Sequence, residues 1–348
     1  ERGVQGAERG VQGAERGVQG AERGVQGAER GLQGAERGTR AAGPGLVLAS
    51  TPGESEKADR KKRRRELDRL PMAGEDQGPP TRVRIGFAKV GRIAYSSHLD
   101  LVRLFPRWFR RCELPVYWSG GFHPRPQMAF SPALSLGISS TGEYLDLKLR
   151  RRDFSDAMMD SLIEDLNDKA LDGVEVFGAR RLGDTDKALG RILGESIWVA
   201  ALPRQLLRAL TLEGQTGFDD LKALDEHIEH RRATALTVTR VRKGIGRKVD
   251  VGRALTCAEV GQGAETLAAA GLIGDLIPFR FGTDMADSGT AKPTEVLRAF
   301  FGDEFQARLV REGVYARYGD RRIAPLDLEG LRSAEQARRA AKAADVEA

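Results

Sequence analysis

The chain holds four histidines, His98, His123, His227 and His230, and several close-set arginines, and these are the residues whose types and spacing could do chemistry. An imidazole titrates near neutral pH, so His98 and His123 together could act as general acid and base in RNA cleavage. The plainer account of His98 is a hydrogen-bonded residue in the first turn of a helix. His227 and His230 stand three apart on a helical segment, a spacing that can hold a metal. No third ligand is evident and Arg231 and Arg232 follow, so a solvated helix end is the expectation, with no metal. Arg103, Arg107, Arg110 and Arg111 fall at helical offsets of 0, 4, 7 and 8, which stacks them on one face. Guanidinium forks grip phosphate bidentately, and each contact adds salt-dependent affinity. The alternative is a solvated basic face.

Two loops add to this set. In Gly120-Gly121-Phe122-His123-Pro124-Arg125-Pro126 the glycines allow a tight turn and the prolines stiffen the chain as it leaves that turn. An aromatic ring, an imidazole and a guanidinium on such an elbow suit an unstacked base and its phosphate. Otherwise the elbow is structural and Phe122 plugs the core. The stretch Arg240, Arg242, Lys243, Arg247 and Lys248 has no acid until Asp250 and reads as a basic hairpin able to touch phosphates. Neither the Walker, the nucleophile-elbow nor the Rossmann glycine pattern occurs in a convincing context, so no cofactor is expected.

The elements that must position these residues begin at Thr81. Arg82 to Phe87 alternates as a half-buried strand does. Ser97 with Asp100 forms a capping box that starts a helix at His98, whose apolar residues Leu101, Leu104, Phe105, Trp108 and Cys112 share one face. Pro106 should kink or divide it. Pro115–Trp118, Met128–Ser131, Glu143–Leu149 and Val174–Leu182 read as strands, and Asp153–Leu171 as an amphipathic helix. Strand, helix, strand, strand, helix, strand is the ferredoxin-like order. A weaker echo comes after it. It has strands at Ile197–Leu202, Leu276–Phe281 and Val310–Tyr318, and helices at Pro203–Leu212, Asp219–His230 and Pro293–Phe301. A hairpin closes around Lys243–Gly246. The expected class is α+β, with tandem ferredoxin-like (βαββαβ) units over 81–185 and 190–325 and a largely exposed helical tail over 326–348.

Composition bounds the rest. The 348 residues are 40% hydrophobic and 30% charged, enough for a real core under a polar surface. No apolar run has the length of a membrane span, and no secretory leader is visible. With two distant cysteines, Cys112 and Cys257, and no metal-binding spacing, a cytoplasmic setting is the default. The net charge of +6 equals the excess in Lys57–Arg65, where seven basic residues face Asp59 alone. Any nucleic-acid site must therefore come from local patches. The chain opens on tandem ERGVQGA copies, two glycines in each. Glycine disfavours a helix by about 1 kcal/mol each, so residues 1–80 are expected to be a disordered, low-complexity extension. The first methionine is Met72, and a native start near it is expected.

Two blocks carry a family resemblance. Phe87-Ala88-Lys89-Val90-Gly91-Arg92-Ile93-Ala94-Tyr95-Ser96-Ser97-His98-Leu99-Asp100-Leu101 is the first, and Ser119 through Gly137, with Glu143-Tyr144-Leu145-Asp146 after it, is the second. Weaker matches are Arg242-Lys243-Gly244, Pro293 to Leu297, and Arg311-Glu312-Gly313-Val314-Tyr315. Over residues 81 to about 318 the chain resembles the radical-SAM-associated family of uncharacterised bacterial proteins, in a stand-alone form. The resemblance implies a radical SAM protein as partner and no reaction of the chain's own. The resulting expectation is an accessory RNA-binding or substrate-presenting protein, possessing a face of Arg103, Arg107, Arg110, Arg111, Phe122, His123 and Arg125. The rivals are a metal-independent endoribonuclease using His98 and His123, and a protein-interaction scaffold for the radical SAM partner.

Overall fold

Strand alternation lays down the first element. In β1 (Thr81–Lys89) Val83, Ile85, Phe87 and Lys89 bury one face, and Arg84 is buried on the other. Then come α1 (His98–Arg111), β2 (Met128–Phe130), β3 (Ser139–Leu149), α2 (Met159–Asp168), β4 (Val174–Leu182) and a helical turn, α3 (Leu189–Ile192). The second half begins with β5 (Leu193–Pro203), α4 (Arg204–Ala209), the short β6 (Thr211–Leu212) and β7 (Gln215–Thr216), and α5 (Leu221–Ala233). The hairpin β8 (Thr237–Arg242) and β9 (Ile245–Asp250), α6 (Val251–Ala254), β10 (Leu255–Val260) and α7 (Ala264–Ala269) come next. It ends with β11 (Leu276–Asp284), α8 (Pro293–Phe301), β12 (Arg308–Tyr318), β13 (Arg321–Ile323) and α9 (Leu328–Glu347). This computed structural model describes residues 75–150, 155–212, 215–218, 220–285 and 291–347.

The architecture is mixed α+β around one nine-stranded sheet, ordered β10-β11-β5-β12-β3-β1-β4, with β2 on β3 and β13 on β12. β13 aside, each half contributes four strands in the same spatial order: fourth, first, third and second along its own chain. Within each half the neighbours are antiparallel. The halves meet where β12 runs parallel to β3, at Val310↔Ser139 and Arg311↔Ser140. Gly142 is required there, because a Cβ would fall on the Glu312 carbonyl. All described residues belong to one compact unit, Ala58–Ala348.

One side of the sheet carries two cores. Phe87, Phe105, Trp108, Phe109, Leu145 and Leu166 make the first, and Trp198, Phe218, Phe279, Phe281, Phe300 and Phe301 the second. On the other side α9 docks Leu331 and Ala334 near Tyr144 and Ile323. Among the described residues no helix is long and apolar enough to cross a membrane.

Several sequence expectations need correction. Pro115–Trp118 makes only isolated bridges, Val116↔Leu149 and Trp118↔Pro126, because Pro115 and Pro126 have no N–H to extend a ladder. The second strand is Met128–Phe130. Pro106 does not divide α1, which runs unbroken from the capping box to Arg111. The burial of Phe105, Trp108 and Phe109 holds its flanking turns. The helix expected to run to Leu212 stops at Ala209. Strand β10 and helix α7 carry too little periodicity to have been read. Residues 1–74, with the repeats and the basic run, lie outside the described residues. Gln77 is already clasped to Trp118, its amide nitrogen donating to the Trp118 carbonyl at 2.9 Å and its amide oxygen accepting from the Trp118 N–H at 2.9 Å.

Candidate functional site

The inward face of β3 reads Glu143, Leu145, Leu147, Leu149, so a carboxylate opens an otherwise apolar run. It stands where the halves meet. Arg311, from β12, donates from Nε to Glu143 Oε1 at 2.7 Å and from its terminal nitrogen to Oε2, and donates again to the Pro132 carbonyl at 2.7 Å. Ser131 Oγ donates to Glu143 Oε2 at 2.7 Å. The Arg311 guanidinium also lies 5.6 Å from the centre of the Trp198 ring, a cation–π distance. Lys89, at the end of β1, completes the cluster and donates from Nζ to the Ser96 carbonyl at 2.9 Å. Lys89, Glu143 and Arg311 are 2%, 5% and 2% exposed. Burial alone would raise the Glu143 carboxyl. The Arg311 charge and the hydrogen bonds from Arg311, Ser140 and Ser131 outweigh it and hold the group below its ordinary range.

A narrow crevice reaches this cluster, lined by Lys89, His98, Phe130, Ser131, Leu134 and Glu143. The capping box sets His98 at its wall. Ser97 Oγ accepts from the Asp100 N–H at 3.2 Å, and the Asp100 carboxylate accepts from the Ser97 N–H at 2.9 Å and from Ser97 Oγ at 2.7 Å. These bonds, the Ser97 side chain's first, hold the Asp100 carboxyl below its usual range. The His98 ring packs edge-on against Phe130 at 5.4 Å.

His123 is elsewhere. Ser119 closes the elbow, its N–H donating to the Arg125 carbonyl at 2.8 Å and its Oγ accepting from the Arg125 N–H at 3.0 Å. Gly121 takes the left-handed conformation the turn needs, with φ of 101°. Pro124 and Pro126 are half-buried, while Gly120, Gly121, His123 and Arg125 are exposed. Phe122 is 95% exposed, so it plugs no core. Among the described residues no contact joins His98 to His123.

Arg103, Arg107, Arg110 and Arg111 are exposed on α1. The row leans towards α2: Arg111 donates to the Lys169 carbonyl at 3.0 Å, Trp108 Nε1 to the Leu166 carbonyl at 3.1 Å. Helix α2, beside the Arg111 end of the row, presents Asp160, Glu164, Asp165 and Asp168 to solvent. The flank of α1 that carries His98 packs on β2 through Phe130.

In the hairpin, Lys243 and Gly244 form a two-residue turn with φ of 52° and 79°, the primed geometry that matches strand twist. Arg240 pairs with the buried Glu295, with both nitrogen–oxygen distances at 2.6 Å. Arg242, Lys243, Arg247 and Lys248 are exposed. His227 corrects another expectation: it is buried between Phe218 and Phe301, with Nε2 2.8 Å from the Phe300 carbonyl, while His230 is exposed. Burial pushes the Cys112 thiol up to about 11 and raises that of Cys257, which disfavours thiolate chemistry at neutral pH.

A family model described as an uncharacterized protein conserved in bacteria (DUF2344) matches residues 82–275. The chain belongs to this family. No curated protein matches it. The DUF2344 match takes in Lys89, His98, Ser131 and Glu143 and stops before Arg311. The second half therefore supplies, from outside the matched residues, the cation that neutralises Glu143. The seam residues Lys89, Ser131, Glu143 and Arg311 were not singled out from the sequence. The available signal was a lysine and a glutamate at inward strand positions, both inside the blocks that carry the family resemblance.

Proposed function

We propose that this DUF2344 chain is an RNA-binding or substrate-presenting accessory protein without independent catalysis, working in the cytoplasm beside a radical SAM enzyme. One observation carries the RNA part. Arg242, Lys243, Arg247 and Lys248 are exposed on one two-stranded hairpin, and none has an acidic partner among the described residues. Exposed, uncompensated cations close together are what phosphate contact needs. The elbow adds an open aromatic face at Phe122, beside His123 and Arg125, for a base to stack on. The α1 row contributes less, because the α2 acids lie beside it. The radical SAM partner rests on the resemblance of the two blocks alone. We also read the halves as tandem ferredoxin-like units; their common strand order supports this. Cleavage by His98 and His123 lacks comparable support, since the two stand on different features.

The test is RNA binding by the full chain as a function of salt. Steep dependence is expected. Charge reversal at Arg242 and Arg247 together should weaken binding far more than reversal at Arg107 and Arg110. Binding that is flat in salt, or indifferent to the hairpin pair, rejects the reading.

A further inference from the structure

Lys89 is the unbalanced member of the seam. An ammonium has three N–H donors, and Lys89 makes one hydrogen bond among the described residues, to Ser96. Glu143 takes none of the others, because Arg311, Ser131 and Ser140 engage it. Two buried cations thus face one buried carboxylate. Asp100 does not correct the balance, because its carboxylate turns back onto Ser97. Burying an excess charge is costly unless a counter-charge arrives. The space beside Lys89 is not sealed: it is a crevice with half-exposed His98 in its lining, and it has room for little more than one water-sized group.

We propose that this crevice binds an anionic oxygen of a phosphate group, with Lys89 as counter-ion. The narrowness means that one oxygen enters and the rest of the group stays at the mouth. There the His98 ring can donate a hydrogen bond. The phosphate is either free, on a small molecule, or the terminal phosphate of an RNA. This site is separate from the hairpin and does not depend on it.

The experiment compares melting of the full chain in sodium phosphate and in sodium chloride at matched ionic strength. It adds binding of one oligoribonucleotide carrying either a 5′-phosphate or a 5′-hydroxyl. Phosphate should raise the melting temperature by a few degrees once it is well above its dissociation constant. Lys89→Met should abolish that rise and, having lost an unbalanced buried charge, melt no lower than the parent in chloride. His98→Gln, altered at a half-exposed position, should keep the chloride melting point and bind phosphate about tenfold more weakly, the loss of one charge-assisted hydrogen bond; it decides the matter if Lys89→Met does not fold. A melting shift with no preference between the two oligonucleotides assigns a small free ligand. Tighter binding of the 5′-phosphorylated strand assigns an RNA end. Identical melting in phosphate and chloride with no preference between strands overturns the proposal, as does a shift that survives Lys89→Met. Reversing Arg242 and Arg247 should leave the phosphate shift unchanged, so the failure of this site and of the hairpin reading are told apart.

Discussion

The seam and the hairpin use the same residue types in opposite surroundings. At the seam, Lys89 and Arg311 are almost wholly buried, and Arg311 is fixed to Glu143. At the hairpin tip, Arg242, Lys243, Arg247 and Lys248 stand in solvent. A buried ion pair is held by what its loss would cost, because either partner left alone is an unsolvated charge. An exposed cation contributes little to folding and stays available to a ligand. A basic residue's role is thus set by its surroundings, and one chain can keep a buried, paired set and a solvent-exposed set of cations apart.

The largest expected effect breaks the seam. Glu143→Gln leaves Arg311 and Lys89 buried without a counter-charge and should destabilise the chain by about 3–5 kcal/mol, measured by urea unfolding. Replacing the pair together, Glu143→Leu with Arg311→Met, should cost less than Glu143→Gln alone. Loss of similar size in the double variant would mean that the seam depends on packing rather than charge. The same pair sets an acid limit. The folded carboxyl lies below its ordinary value of 4.5. Its contribution is therefore complete above about pH 4.5 and fades as pH falls through the lower folded value. The acid limb of the stability profile should be shallower in Glu143→Gln.

Much of this frame was legible in the sequence. The Ser97–Asp100 box and the apolar stripe of α1 announced that helix, and Val174–Leu182 and Pro293–Phe301 match their elements. Those signals are local. What was hidden is non-local. Arg311 and Glu143 are 168 residues apart in the chain, and no periodicity reports that β12 and β3 will lie side by side. His227 looked like a solvated helix end because its neighbours are charged; its ring instead enters the core between Phe218, just upstream of its own helix, and Phe301 of the distant α8. The helical spacing of Arg103, Arg107, Arg110 and Arg111 is local and could be read, whereas the packing of the acid-bearing α2 against α1 belongs to the tertiary fold.

A middle-sized effect separates two arginines two positions apart. Arg240→Ala removes a charge-assisted pair to Glu295, whose side chain is 4% exposed, and should cost about 1.5–3 kcal/mol. Burial would raise the Glu295 carboxyl, but Arg240 and the Lys292 N–H hold it down, so this loss too should shrink in acid. Arg242→Ala should change stability by no more than about 0.5 kcal/mol. It should instead lower the salt dependence of RNA binding by about one phosphate contact. Equal stability losses for the two would place Arg242 in the structural set.

The smallest effect is the sharpest probe of the hairpin. Lys243 sits in the left-handed region at φ of 52°, where a lysine is disfavoured and asparagine is tolerated. Lys243→Asn keeps the turn and relieves that strain, so the chain should gain about 0.5–1 kcal/mol, seen as a small rise in melting temperature. A residue kept against its own backbone preference calls for a reason, and the charge is the candidate. If the tip touches phosphate, the stabilised variant should bind RNA more weakly and with a shallower salt slope. A variant both more stable and equally good at binding would leave the lysine's charge without a role, and would move the contact surface away from the turn to the strands that carry Arg242 and Arg247.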